Sequence, residues 1–202
     1  MKHTIITIGR QYGSGGHEVA EQLAEKLSIP LFDKQVLTEA AKNSGFSENL
    51  FHTYDEVRES SLLYALSTGS IAYGSMELPL PVQLCMEQFK TIGQLAEQGS
   101  CIFVGRCADY VLRERSDLVS VFIHAPMKQR AARIGNLYNV GTSEAERQIL
   151  RADRKRRSYY EHYTDREWGV ASTYHLSLDS GEIGIAGCVS MIEAYLGVRG
   201  LL

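Results

Sequence analysis

The stretch ITIGRQYGSGGHEVAEQL, residues 6–23, decides how the rest of the chain is read. Thr4 to Ile8 is a β-rich run that stops at Gly9, the pattern of a short buried strand. From Ser14 onward Val19, Leu23 and Leu27 recur every four residues with Ala20 and Ala24 beside them, so a helix follows with one face toward a core. Ser28-Ile29-Pro30 ends that helix. Between strand and helix lie Gly13, Ser14, Gly15 and Gly16. Glycines let a backbone turn its N–H groups into one concavity, and the positive end of the following helix adds to the field there. Such a turn cradles phosphate. A ligand-free strand-to-helix turn is the alternative, but it rarely needs three glycines in four residues.

Working outward, the same alternation repeats. Pro30 to Asp33 reads as a second short strand ending on a carboxylate, and residues 34–43 as a helix. Residues 47–67 read as another helix and 67–81, rich in Gly, Ser and Pro, as a connector. A long helix is expected over 82–98, then a strand over 101–106, a short helix through Leu112, a strand over 118–125 and a helix over 127–136. Ser143 and Glu146 have the spacing of a capping box for a helix from 144 to about 162. A last strand, 174–180, precedes a last helix, 184–196. Strands alternating with helices predict an α/β fold: a parallel sheet with helices on both faces. Ligands in such folds bind at the carboxyl ends of the strands, which singles out residues 9–17, Asp33, Gly105-Arg106 and the turn after Ala125.

Composition narrows the function. A length of 202 residues suits one domain with a small insertion. A net charge of −3 argues against a general nucleic-acid partner. The N-terminus is too quickly broken by glycine for a signal peptide, and no apolar run approaches the roughly 20 residues that span a bilayer, so no membrane partner and a cytoplasmic location are expected. Cys85, Cys101, Cys107 and Cys188 form no C-x-x-C pair and read as small buried side chains rather than metal ligands.

The turn departs from the strict phosphate-loop pattern G-x-x-x-x-G-K-[ST]. Gly9 and Gly15 lie six apart, and no lysine follows. Further along, VGRCADYVL (104–112), DRKRRSYYEHYTDREWG (153–169) and YHLSLDS (174–180) complete a set of blocks. With RQYGSGGHEVAEQLAEKLSIPLFDKQ (10–35) they resemble, in order and over nearly the whole chain, the cytidylate kinase-like branch of the P-loop nucleoside monophosphate kinases. The resemblance implies a P-loop kinase fold: a parallel five-stranded sheet flanked by helices, with helical acceptor-binding and lid segments. It divides the chain into a core (1–33, 100–142, 170–202), an insertion (about 34–99) and a lid (about 143–169). It implies transfer of a phosphoryl group from ATP, with Mg²⁺, to a nucleoside monophosphate, with CMP or dCMP first. A phosphate sensor without transfer, or a kinase for another small molecule, are the rival readings.

The same resemblance distributes roles. Gly13, Ser14, Gly15, Gly16, His17 and Glu18 would hold the donor nucleotide; Arg10, just inside the loop, would supply the missing charge there or be a surface arginine. Gly16 stands where the loop lysine is expected, so Gly16→Lys is expected to tighten ATP binding or speed turnover. Asp33, Arg106, Asp109 and Asp153 would place the acceptor, with a helix N-cap as the alternative for Asp33. Arg106, Arg154 and Arg157 would stabilise charge in transfer, since a guanidinium grips phosphate with two parallel donors. Arg130 and Arg133 resemble a second lid-flanking pair, or pair with Glu144 or Glu146. Tyr159, Tyr160, Tyr163 and Trp168 read as packing for the lid hinge or as a base-stacking surface. His124 takes the place of the strand-end acid that usually faces Mg²⁺, and no protein metal site is expected. A homodimer is expected as a possible assembly.

Overall fold

A computed structural model of the chain describes residues 3–54 and 78–202. Five strands form one parallel sheet in the order β2-β3-β1-β4-β5: β1 (Ile5–Arg10), β2 (Leu31–Phe32), β3 (Cys101–Val104), β4 (Leu118–His124) and β5 (Leu176–Asp179). β1 is central. Ile8 lies opposite Val104 of β3 and Val121 of β4, so Gly9 and Arg10 project past the end of β3 toward Gly105.

Eight helices among the described residues cover the sheet: α1 (Gly16–Leu27), α2 (Gln35–Ser44), α3 (Glu48–Thr53), α4 (Leu80–Glu97), α5 (Ala108–Val111), α6 (Met127–Tyr138), α7 (Thr142–Tyr163) and α8 (Ser180–Val198). The strands are continuous apolar runs because both sheet faces are covered. On one face Ile6, Ile8, Val119 and Val121 pack with Val19 and Leu23 of α1 and Ile192 and Leu196 of α8. On the other, Ile5, Phe103 and Leu118 pack with Ile92 and Leu95 of α4. Each fully buried Ile or Leu contributes roughly 2 kcal/mol. α1 ends as its sequence requires: Ser28 turns into the left-handed region (φ 53°) and its N–H closes on Ala24 and Glu25.

Several boundaries differ from the sequence reading. α7 starts at Thr142 with Gly141 as its N-cap, and no side chain caps it, so Ser143 and Glu146 do not form the expected box. α2 starts after Lys34, and Asp33 offers it no side-chain cap. The expected helix over 47–67 is seen as α3, its remainder lying outside the described residues, as does most of the 67–81 connector. Pro81, assigned to that connector, is instead the second residue of α4, where a missing N–H costs nothing. α8 has the length and mean hydropathy (1.3) of a membrane-crossing helix, contrary to the sequence reading. Gly181, Gly184 and Gly187 break up its apolar run in the sequence, and Gly184 (φ 68°) interrupts its helical backbone. In the fold Cys188, Val189, Ile192 and Leu196 of α8 are core residues against α1 and the sheet. All four cysteines are free and buried; burial pushes the Cys85 and Cys101 thiols up to about 12 and Cys188 to about 11.

Candidate active site

The glycine turn and the helix it feeds line a cleft of about 720 Å³ at the carboxyl edge of the sheet. Gly13 (φ 80°) and Gly15 (φ 77°) are left-handed, which glycine adopts without penalty. Gly15 is the N-cap of α1 and carries no side-chain cap, so the first N–H groups of the helix open toward the cleft. The turn is held from beneath. The Ser14 hydroxyl donates to the carbonyls of Gln11 (2.9 Å) and Ile123 (3.1 Å), and Ser180 Oγ donates to the Ser14 carbonyl (2.6 Å). Ser14 is therefore a buried strut of the turn, with its hydroxyl turned away from the cleft.

Two further residues pin the turn to α6 and α7. Asp153 accepts the Tyr12 N–H (2.7 Å) and Arg130 Nη1 (2.6 Å). Arg130 also donates to the carbonyls of Ala125 (3.0 Å) and Tyr12 (3.2 Å). Both are largely buried. This cluster braces the loop; Arg130 pairs with Asp153 and not with Glu144 or Glu146. Arg133 pairs with Glu18 across the mouth of the loop, which ties up a carboxylate expected to face the donor nucleotide. Burial and a hydrogen bond to Tyr138 push the Tyr12 phenol up to about 12, so it remains neutral in the cleft wall.

Opposite the glycine turn, Gly105, Arg106 and Cys107 run through three successive left-handed conformations (φ 71°, 59° and 57°). Two of these are non-glycine residues, and such strain is held only where the surroundings over-determine it. Here the holding contacts are visible: Arg106 Nε donates to the Asp33 carbonyl (2.9 Å), its Nη2 lies 3.6 Å from Asp33 Oδ1, and Gln88 Nε2 donates to the Arg106 carbonyl (3.4 Å). Asp33 Oδ2 in turn lies 3.5 Å from His17 Nδ1, whose Nε2 lies 3.3 Å from Glu21. The chain Glu21–His17–Asp33–Arg106 thus links the head of α1 to the turn at Gly105–Cys107. Asp109 sits behind it, buried, accepting the Tyr160 hydroxyl (2.6 Å); burial raises its pKa, and the Tyr160 hydrogen bond and the charge of Arg166 oppose the rise.

Of the residues singled out by sequence, Arg10, Gly13, Gly15, Gly16, His17, Glu18, Asp33 and Arg106 line the one cleft. Arg154 and Arg157 do not. Both are exposed; Arg157 stacks over Trp168 (5.8 Å) and lies 3.9 Å from Glu161. The inward arginine of α7 is Arg156, which donates to the Arg10 carbonyl (3.2 Å) and lies over the Tyr12 ring. Helical phase was the available signal. Ile149, Tyr159 and Tyr160 are buried, and 156 lies seven residues after the first and three before the second. The tyrosines pack together: Tyr159 with Tyr163, and Tyr160 and Trp168 with Phe122 and Tyr174, as the hinge-packing reading expected. No group of three His, Cys, Asp or Glu converges on a metal position among the described residues.

A central parallel sheet, a glycine turn opening a helix at its carboxyl edge, and an arginine cleft above define a P-loop kinase fold. The chain matches the cytidylate kinase-like family over residues 5–182, most of its length, and it belongs to that family. A cytidylate kinase of Methanocaldococcus jannaschii is 22% identical over 194 residues, covering 94% of this chain and 96% of the relative. Among solved structures, an uncharacterized protein from Eubacterium ventriosum superposes with a TM-score of 0.74 at 27% identity, over 96% of this chain and 98% of that one. A shikimate kinase from Bacteroides thetaiotaomicron superposes at 0.53 and 14% identity, over 96% and 98% of the two chains, which speaks to the fold alone.

Proposed function

We propose that the protein transfers the terminal phosphoryl group of ATP to a nucleoside monophosphate, CMP or dCMP before others. The observation that carries this is the opposition of two built phosphate positions across one cleft. On one side is an uncapped helix start behind a glycine turn. On the other is a strained turn that points Arg106, held by Asp33, at the same space. The choice of CMP rests on the family and on the cytidylate kinase relative.

In this reading the N–H groups at the head of α1 bind the donor phosphates. Arg106 binds the acceptor phosphate and Asp33 orients it. An oxygen of the acceptor phosphate bonds to the γ-phosphorus while the bond from that phosphorus to the bridging oxygen of ADP breaks. Arg156 and Arg133, from the lid and its flank, stabilise the charge on the three oxygens in between. Glu18 is held by Arg133 and Asp33 by Arg106 and His17, and no three such side chains converge among the described residues, so Mg²⁺ would be held mainly by the donor phosphates, whose charge it would neutralise.

Gly16 and His17 in place of lysine and hydroxyl favour a second reading, a nucleotide sensor that binds without transfer. The test is an ADP-release assay over CMP, dCMP, the other monophosphates and small hydroxy acids, with calorimetric titration of ATP beside it. ADP release fastest with CMP or dCMP supports the proposal. Release only with a hydroxy acid, or ATP binding with no release for any acceptor, overturns it, the latter in favour of a sensor.

A further inference from the structure

We propose that Arg10 is the phosphate clamp of this site, that it stands in for the loop lysine, and that it serves donor and acceptor phosphates together. The inference rests on the phosphoryl-transfer reading and names the cation on which that reading depends.

Arg10 is the last residue of the central strand, and the register of β1 on β3 carries it alongside Gly105. Its stem crosses Gly16. A Cβ added at Gly16 would lie 2.5 Å from Arg10 Cβ, 3.1 Å from Arg10 Cγ and 3.3 Å from Ile123 Cβ. Real Cβ atoms do not approach so closely, and two of these neighbours are β-carbons fixed to a strand. Gly16 is helical, not left-handed, so its identity is set by this contact and not by φ. The far end of Arg10 lies against Gly105, where an added Cβ would run into Nη1. Gly16 thus leaves room for the base of this side chain, and Gly105, left-handed in any case (φ 71°), lies against its tip. The side chain starts under the donor loop and ends at the turn that presents Arg106.

A side chain at position 16 would meet first the β-carbon of residue 10 and then the arginine's Cγ, so position 16 has no room for a lysine beside this strand. The chain has the arginine. The exchange keeps the positive charge and changes its reach. A lysine offers a point charge at the loop, while a guanidinium has a planar fork that meets oxygens of two phosphates. It also removes the expectation that Gly16→Lys alone would improve the site.

The test uses the full chain and reads binding apart from turnover. Arg10→Met keeps the stem across Gly16 and removes the guanidinium. It is expected to leave the melting temperature within about 2 °C. It is expected to weaken ATP, measured by calorimetry, on the order of ten- to a hundred-fold, the loss of one charge-assisted contact. CMP affinity falls with it. Gly16→Lys alone is expected to lower the melting temperature by about 5 °C through overpacking. Arg10→Gly/Gly16→Lys is expected to regain part of that stability and part of the ATP affinity, because the β-carbon that meets position 16 is then gone. The inference fails if Arg10→Met binds ATP as the parent does, or if Gly16→Lys folds as the parent does and binds ATP more tightly. It also fails if Arg10→Met loses stability but not affinity, the mark of a structural role. A parent protein that binds ATP but releases no ADP overturns the transfer reading and with it the joint donor–acceptor role, while Arg10→Met still decides whether Arg10 clamps the ATP phosphates. A parent that binds neither ATP nor inorganic triphosphate overturns both.

Discussion

Removing the carboxylate of Asp153 separates two accounts of that residue. The family resemblance makes it an acceptor contact. The structure makes it a brace: it accepts the Tyr12 N–H at 2.7 Å and Arg130 Nη1 at 2.6 Å. The Arg130 side chain is only 7% exposed, so Asp153→Ala leaves a buried cation without its carboxylate. Breaking such a pair costs roughly 3–5 kcal/mol. Arg130 keeps two carbonyl acceptors, those of Ala125 and Tyr12, which argues for the low end, about 3 kcal/mol. For a chain of this size that is a fall in melting temperature of roughly 6–12 °C, read by scanning calorimetry. Asp153→Asn turns an N–H₂ toward Arg130 or toward the Tyr12 N–H, so it gives back only part of the loss. Arg130→Met/Asp153→Leu, which removes both charges, is expected to be more stable than Asp153→Ala but below the parent, since the Tyr12 N–H and the Ala125 and Tyr12 carbonyls lose these partners. If Asp153→Ala melts within about 2 °C of the parent while the KM for the acceptor rises more than about ten-fold, the brace account is wrong and the residue is an acceptor contact.

Two further outcomes follow from titrating groups. Asp117 is hydrogen-bonded by Arg115 and then by His3, which holds its carboxyl down at about 2; the folded value lies below the unfolded one, so its contribution is present above about pH 4 and lost as pH falls toward 2. Asp117→Asn is expected to cost about 1 kcal/mol at pH 7 once solvent screening is allowed for, with the gap to the parent closing over that window in urea titrations; a gap that stays constant to pH 2 refutes the assignment. Asp109 has the opposite sign: burial raises its folded pKa, so its ionised form opposes folding increasingly as pH rises. Asp109→Asn keeps an acceptor for Tyr160 and is expected to gain stability relative to the parent between mildly acidic pH and pH 8; a variant that loses ground as pH rises would show that the charge of Arg166 dominates.

The fold was legible because its signals are local. Short apolar runs bounded by glycine became strands, and the four-residue stripe Val19-Leu23-Leu27 became α1. Asp33, Arg106 and the glycine turn were found together because all three stand at strand ends, and a parallel sheet brings strand ends to one edge. The lid was misread for a physical reason. A motif counts positions along the chain, whereas a helix sorts them by angle. Arg154 and Arg157 are the striking letters of DRKRR, yet the buried tyrosines three and four residues on put Arg156 inward. Arg133–Glu18 and Arg130–Asp153 span 115 and 23 residues, and nothing local marks either partner.

The same long-range pairing explains how a loop without lysine can still present positive charge. Two arginines lining the cleft are aimed by main-chain carbonyls, Arg106 by that of Asp33 and Arg156 by that of Arg10, and Arg106 also lies 3.6 Å from the Asp33 carboxylate; Arg130, under the loop, is matched by Asp153. A carbonyl is a neutral acceptor. It fixes the direction of a guanidinium without adding a negative charge of its own. Charge oriented in advance costs no reorganisation when an anion arrives. The strain at Arg106 and Cys107 is then intelligible as the cost of aiming one such group. A turn at ordinary φ would release that strain and point the guanidinium elsewhere, so relaxing this backbone should weaken the acceptor and leave ATP binding intact.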